Sequence, residues 1–154
     1  MTKERQFMKI ETRDFGPLDI TEDQIINFPN GLYAFDEARH FALIAPKENQ
    51  YPMWLQCIDS LRPCFIVFDP ELFCEDYRVE LSGSEKTMLK IKDNSTVRVL
   101  CIANVPEDFR NTTVNMKSPI VINEDEKTAM QVILPESYPY RQPIYKKPDR
   151  EQEA

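Results

Sequence analysis

The stretch Thr96-Val97-Arg98-Val99-Leu100-Cys101-Ile102-Ala103-Asn104 is the longest segment of the chain that is rich in β-branched residues. Its two sets of alternate side chains are both largely apolar, with Val97 and Cys101 in one set and Leu100 and Ile102 in the other. A strand with apolar residues on both sides is typical of a buried position in a sheet. The sequence therefore predicts a central strand that is covered on both faces.

Short apolar runs on either side of this strand predict further strands. Upstream they are Met8–Arg13 and Leu18–Ile20, which form a hairpin, then Ile25–Phe28, Phe41–Ala45, Met53–Asp59 and Cys64–Asp69; downstream they are Thr112–Met116, Pro119–Asn123 and Ala129–Leu134. The 12 prolines act as the main strand terminators, since the chain has only 3 glycines. The acidic segment 124–127 joins the last two runs as a hairpin tip.

One helix is expected, from about Gly83 to Lys90. Ser82 and Glu85 have the spacing of a capping box, in which each side chain binds the other residue's backbone amide. Many short antiparallel strands hide their edges best by closing into a barrel. We therefore predict an all-β fold, a small antiparallel β-barrel-like domain with one short helix, over residues 1–146. The charged segment 147–154 is expected to be a flexible tail.

Composition excludes several classes of function. The chain of 154 residues has 19 Lys and Arg against 26 Asp and Glu, so its formal net charge is −7, the wrong sign for direct nucleic-acid binding through phosphates. Three glycines cannot supply a P-loop or a GxGxxG turn. No apolar run is long enough to span a bilayer, and residues 1–6 do not begin a secretion signal. These features predict a cytoplasmic protein that does not bind membranes.

The residues usually found in metal or catalytic sites are sparse. The single histidine, His40, excludes a multi-histidine metal site, and the 4 cysteines contain no CxxC pair. We expect buried free thiols and neither cofactor nor metal. His40 could act as a general base near a cysteine or Ser60, but no orienting group is marked, so we favour a half-exposed ring at a strand entrance and predict no catalytic residues.

An acidic stretch with exposed apolar residues is the main candidate for partner binding. The eight residues Asp69–Asp76, on a predicted turn, contain four carboxylates. These carboxylates could form a solvated surface, or they could bind Ca²⁺ or share a proton. They could also attract a basic surface of another protein. We expect partner contacts from this stretch and from a second acidic cluster, at Glu71, Leu72, Phe73, Glu75, Asp76, Glu107 and Asp108.

Three asparagines and one tryptophan are less specific indicators of function. Asn104, Asn115 and Asn123 each end or interrupt an apolar strand, where an amide can bind backbone groups at a bend or line a polar pocket. Trp54 is interpreted as a core residue.

Five motifs in the expected order resemble the flagellar assembly factor FliW family. They are Phe28–Phe35, similar to FPxGLxGF; Pro52–Cys57, similar to a P-[FL]-x-x-L-Q-[SC] strand; Phe65–Pro70, similar to the segment that follows; Thr113–Asn123, similar to TVNLxAPIVVN; and Ala129–Leu134, similar to GxQVIL. Ala34 and Ala129 occupy positions at which these patterns have glycine. The resemblance extends from about Met8 to Tyr145.

The resemblance implies a β-barrel-like protein without catalytic activity. Members of the family bind flagellin and the RNA-binding translational regulator CsrA in mutually exclusive fashion, which relieves CsrA repression of flagellin translation. We expect the free protein to be a monomer. The alternatives are a cytoplasmic flagellin chaperone that does not bind the regulator, and a small ligand-binding barrel with a pocket near the three asparagines.

Overall fold

The predicted strands are present in the computed structural model, which describes residues 6–47, 50–135 and 137–145. The strands are β1 (Phe7–Thr12), β2 (Gly16–Thr21), β3 (Ile25–Asn27), β4 (His40–Ile44), β5 (Met53–Cys57), β6 (Cys64–Phe68), β7 (Val97–Asn104), β8 (Thr113–Val114), β9 (Ile120–Asn123), β10 (Thr128–Gln131) and β11 (Gln142–Pro143). One α-helix, α1 (Gly83–Met88), and three 3₁₀ turns, Glu22–Gln24, Pro70–Leu72 and Phe109–Asn111, complete the described secondary structure.

Seven strands close into a barrel. The order is β7-β6-β5-β4-β3-β10-β9, and β9 pairs with β7 to complete the ring. All of these pairs are antiparallel except β3 and β10, which meet in parallel at Asn27 and Thr128. Strands β8 and β11 extend the sheet beyond β7. The prediction of an all-β barrel with one short helix is confirmed.

Two apolar clusters lie on opposite sides of β7. Leu100 packs inside the barrel with Phe28, Phe41 and Leu55. The next residue, Cys101, faces an outer cluster, whose buried members also include Tyr77, Leu89, Met116, Val121 and Leu134. Successive side chains of a strand point to opposite faces. Because both Leu100 and Cys101 are fully buried, the centre of β7 is covered on both faces, as predicted.

The first hairpin packs on the outside of the barrel. Strands β1 and β2 form a separate two-stranded sheet, in which Ile10 and Ile20 pack against Ala42 of β4. The sequence predicts Trp54 in the core, but this residue faces outward because Met53 and Leu55, its neighbours in β5, point into the barrel. Its indole Nε1 donates to Asp14 Oδ2 at 3.0 Å and holds the tip of the hairpin.

Helix α1 begins at the predicted capping box. The Glu85 amide donates to Ser82 Oγ at 3.2 Å, and the Ser82 amide donates to Glu85 Oε1 at 2.8 Å. The helix ends at Met88, two residues earlier than expected, because Lys90 adopts a positive φ of 57° that cannot continue a right-handed helix.

The turn of the first motif needs left-handed backbone at two positions. Gly31 has φ 66°, and a Cβ atom there would lie 2.5 Å from the Cα atom of Asp36. Ala34 has φ 69°. The second position is therefore strained by a methyl group where the motif has glycine.

The predicted tail, residues 147–154, lies outside the described residues. Within the described part of the chain, no helix has the length and apolar character needed to cross a membrane.

Candidate partner-binding surface

The acidic stretch forms a compact turn directly after β6. The Glu71 amide donates to Asp69 Oδ1 at 2.9 Å, which caps the 3₁₀ turn Pro70–Leu72 at its start. Pro70 is buried at the first position of the turn, where its fixed φ suits helical backbone. The turn therefore presents Glu71 and Leu72 outward from a well-anchored base.

The predicted contact residues of this stretch divide into exposed and packed ones. Glu71, Glu75 and Asp76 are exposed, and Leu72 is 58% exposed. Phe73 instead packs against Phe68 of β6, with ring centroids 5.7 Å apart, and belongs to the margin of the outer cluster. The structure thus brings three carboxylates and one apolar side chain together at the surface, and directs Phe73 inward.

The second acidic cluster lies elsewhere. Glu107 and Asp108 follow the end of β7, whereas the stretch around Glu71 lies beside its start. The Asp108 carboxylate caps the 3₁₀ turn Phe109–Asn111 by accepting from the Arg110 amide at 3.1 Å, and it forms an ion pair with the Arg110 guanidinium at 3.0 Å. The two predicted clusters are therefore separate surfaces, and Asp108 also has a structural role.

A cleft of about 420 Å³ runs between the acidic turn and the first half of β7. It exists because β6 ends at Phe68, opposite Cys101, so among the described residues Val97–Leu100 has β9 on one side and no strand on the other. Aliphatic and aromatic side chains form its walls, namely Tyr51, Tyr77, Val79, Val97 and Val99.

Three carboxylates and one guanidinium also line the cleft. Asp69 and Glu71 lie on the side of the turn, and Glu124 forms an ion pair with Arg98 across 2.6 Å. Burial raises the pKa of the Tyr51 phenol above its ordinary value, and the Asp69 carboxylate raises it further, more than Arg98 lowers it. With three carboxylates and one guanidinium, the cleft lining carries more negative than positive charge.

Sequence reasoning identifies the acidic side of this cleft but not the cleft itself. Asp69 and Glu71 belong to an acidic turn that the sequence marks. Tyr51, Val97 and Glu124 come from distant segments, and no local spacing in the sequence connects them.

His40 lies where it was expected, at the first position of β4. Its side chain is 47% exposed, and its Nδ1 atom lies 2.8 Å from Asp59 Oδ2. Cys57, Cys64 and Cys101 are buried free thiols, as predicted, and Cys74 is partly exposed.

The three asparagines do not line one pocket. Asn123 is fully buried and donates to the Leu89 carbonyl at 2.8 Å, while Asn115 Oδ1 accepts from the Lys117 and Ser118 amides at 3.0 Å each. Asn104 is exposed at the end of β7, opposite the end at which Asn123 pairs with Val97. Asn115 and Asn123 thus bind backbone groups at bends, the first of the two roles considered for these amides.

Comparison with known proteins agrees with the motifs. The family model described as FliW protein matches residues 9–144. The flagellar assembly factor FliW of Natranaerobius thermophilus is 33% identical to this chain over 141 residues, which cover 90% of this chain and 93% of that protein. The flagellar assembly factor FliW of Carboxydothermus hydrogenoformans is 36% identical over 130 residues, which cover 84% of each chain. A crystal structure of the flagellar assembly factor FliW superposes with a TM-score of 0.84 at 26% identity, covering 92% of this chain and all of that one. The five motifs, the barrel and these matches show that the chain belongs to the FliW family of flagellar assembly factors.

Proposed function

We propose that this protein is a non-enzymatic cytoplasmic regulator that binds flagellin and the RNA-binding regulator CsrA in mutually exclusive fashion. Binding of CsrA relieves its repression of flagellin translation, and flagellin competes for the same protein. Family membership supports this role. The observation that carries this proposal is the exposed acidic turn around Leu72. A protein that binds RNA phosphates presents a basic surface, and an acidic surface attracts it.

The competition is a case of thermodynamic linkage. If each protein ligand lowers the affinity for the other, free flagellin sets the fraction of the factor that is available to CsrA. A chain with a net charge of −7 held beside the regulator also repels RNA phosphates, so it favours the RNA-free form even without covering the RNA site. Raising the ionic strength should weaken this inhibition, because salt screens exposed charges; inhibition that is unchanged by salt would contradict the electrostatic step.

The central experiment uses light scattering after size exclusion to measure the purified protein alone and in three mixtures: with flagellin, with CsrA, and with both. We expect a free monomer, a complex with flagellin, a complex with CsrA, and loss of the CsrA complex when flagellin is added in excess. A stable ternary complex would contradict mutual exclusion. Binding of flagellin alone would identify a chaperone, and binding of neither would leave the ligand-binding barrel.

A separate experiment tests the exposed charges of the acidic stretch. Reversing two exposed charges, Glu75→Lys with Asp76→Lys, should slow association with CsrA by about tenfold at low salt, since exposed charges act mainly on the rate of encounter. Stopped-flow fluorescence measures that rate, and circular dichroism checks the fold. An unchanged association rate in the folded variant would remove Glu75 and Asp76 from the interface.

A further inference from the structure

The cleft between the acidic turn and β7 combines aliphatic side chains with carboxylates. Its wall offers the aliphatic side chains of Val79, Val97 and Val99, and its edge offers the carboxylates of Asp69 and Glu71. Long cationic side chains need this combination, because their stems bury apolar surface while the charged head stays at a polar edge.

We propose that this cleft anchors one arginine side chain of the basic RNA-binding partner, with the stem against the three valines and the guanidinium at Asp69 and Glu71. The identity of the partner rests on the proposed function; the chemistry of the cleft does not. At about 420 Å³ the cleft is near the lower end of ligand-pocket volumes, so it suits a single side chain with its adjoining backbone better than a helix.

Charge and shape both favour arginine as the occupant. Arg98 neutralises Glu124 through their 2.6 Å ion pair, which leaves Asp69 and Glu71 to attract a second cation. A planar guanidinium can bind two carboxylates and also stack on an aromatic ring, and Tyr51 and Tyr77 both line the cleft. Buried arginine anchors are common among the residues that dominate interface energies.

The test compares two pairs of substitutions with the same change in net charge. Asp69→Asn with Glu71→Gln removes both charges of the cleft, and the new side-chain amide at the first position keeps an oxygen that can cap the 3₁₀ turn. Glu11→Gln with Asp19→Asn removes two exposed charges of the β1–β2 hairpin, outside the cleft and outside the predicted contact residues, and serves as the matched control.

Surface plasmon resonance with immobilised CsrA separates the two effects. We expect the cleft pair to speed dissociation by about tenfold or more, because an anchored charge acts on complex lifetime, and the control pair to change it less than about twofold. Equal effects of the two pairs on dissociation, or none from the cleft pair, would overturn the proposal.

A second measurement does not need CsrA. The methyl signals of Val79, Val97 and Val99 are followed by NMR while acetyl-Val-Arg-Val-amide is added at millimolar concentration, with the citrulline peptide as the uncharged control. We expect shifts at the three valines with the arginine peptide alone, lost in the Asp69→Asn, Glu71→Gln variant. Equal shifts with citrulline, or no shifts, would overturn the proposal. If the arginine peptide shifts the three valine signals but this protein does not bind CsrA, the proposed function is refuted and the arginine cleft remains supported.

Discussion

At the scale of single residues, we expect the two alanines that stand at motif-glycine positions to have opposite effects on stability. Ala34 has φ 69°, in the left-handed region where a Cβ atom adds about 1–2 kcal/mol of strain. Ala34→Gly removes that strain but gains entropy in the unfolded chain, so we expect the free energy of unfolding to rise by about 0.5–1 kcal/mol. Urea unfolding followed by fluorescence measures the change.

Ala129→Gly is the matched control. Ala129 is 1% exposed in the barrel core and lies in β10, where its backbone is extended. Glycine there loses a buried methyl group and adds backbone entropy to the unfolded state, so the free energy of unfolding should fall by about 1–2 kcal/mol. A change of the same sign in both variants would contradict the assignment of left-handed strain to Ala34.

At the scale of secondary structure elements, Asn123 connects helix α1 to the β9–β10 hairpin. Its amide donates to the Leu89 carbonyl, and its Oδ1 atom accepts from the Asp125 amide at 3.1 Å. Asn123→Ala leaves buried backbone groups without partners, and we expect it to lower the free energy of unfolding by about 2–3 kcal/mol. Thermal and urea unfolding measure this loss.

Asn104→Ala provides the comparison for that prediction. Asn104 is exposed at the far end of β7, so its removal should change stability by less than about 0.5 kcal/mol. A ligand-binding barrel with a site formed by the asparagines would instead show loss of ligand binding in both variants. Equal stability of Asn123→Ala and the parent would contradict the bridging role.

Local sequence predicts most elements, because strand alternation and turn residues act over a few positions. The capping box at Ser82 places the start of α1 correctly, and the two apolar sets of β7 identify that strand. The core assignment of Trp54 is wrong, since its face depends on the neighbours of β5 in space and not on its own hydrophobicity. The parallel contact between β3 and β10 joins Asn27 to Thr128, which lie far apart in the chain, and no local pattern encodes it.

At the scale of the whole molecule, the candidate site shows the same limit. The acidic turn could be predicted because its carboxylates are close in sequence. The cleft beside it forms because β6 ends at Phe68, opposite Cys101, and so does not cover the first half of β7, where Tyr51 and Glu124 line the cleft together with Val97 and Arg98. Barrel closure thus creates a surface whose parts carry no functional signal when each is read alone.

The outer cluster of the molecule makes its stability sensitive to alkaline pH. Burial raises the pKa of the fully buried Cys101 thiol from 9.0 to about 12. The contribution of this raised pKa to the free energy of unfolding is complete below pH 9 and is lost as the pH rises. The reason is that above pH 9 the thiol of the unfolded chain ionises, while the thiol of the native protein stays protonated. This group alone should lower the free energy of unfolding by about 1.4 kcal/mol between about pH 7.5 and pH 10.

Cys101→Ala removes that contribution, while the other cysteines and the tyrosines are present in both proteins. The variant starts less stable at about pH 7.5, because it loses part of a buried side chain that contacts Tyr77. Its loss between about pH 7.5 and pH 10 should nevertheless be smaller than that of the parent by about 1.4 kcal/mol, as measured by urea unfolding at both pH values. Parallel losses in the two proteins would mean that the Cys101 thiol ionises as readily in the native state as in the unfolded one, and that water reaches the outer cluster.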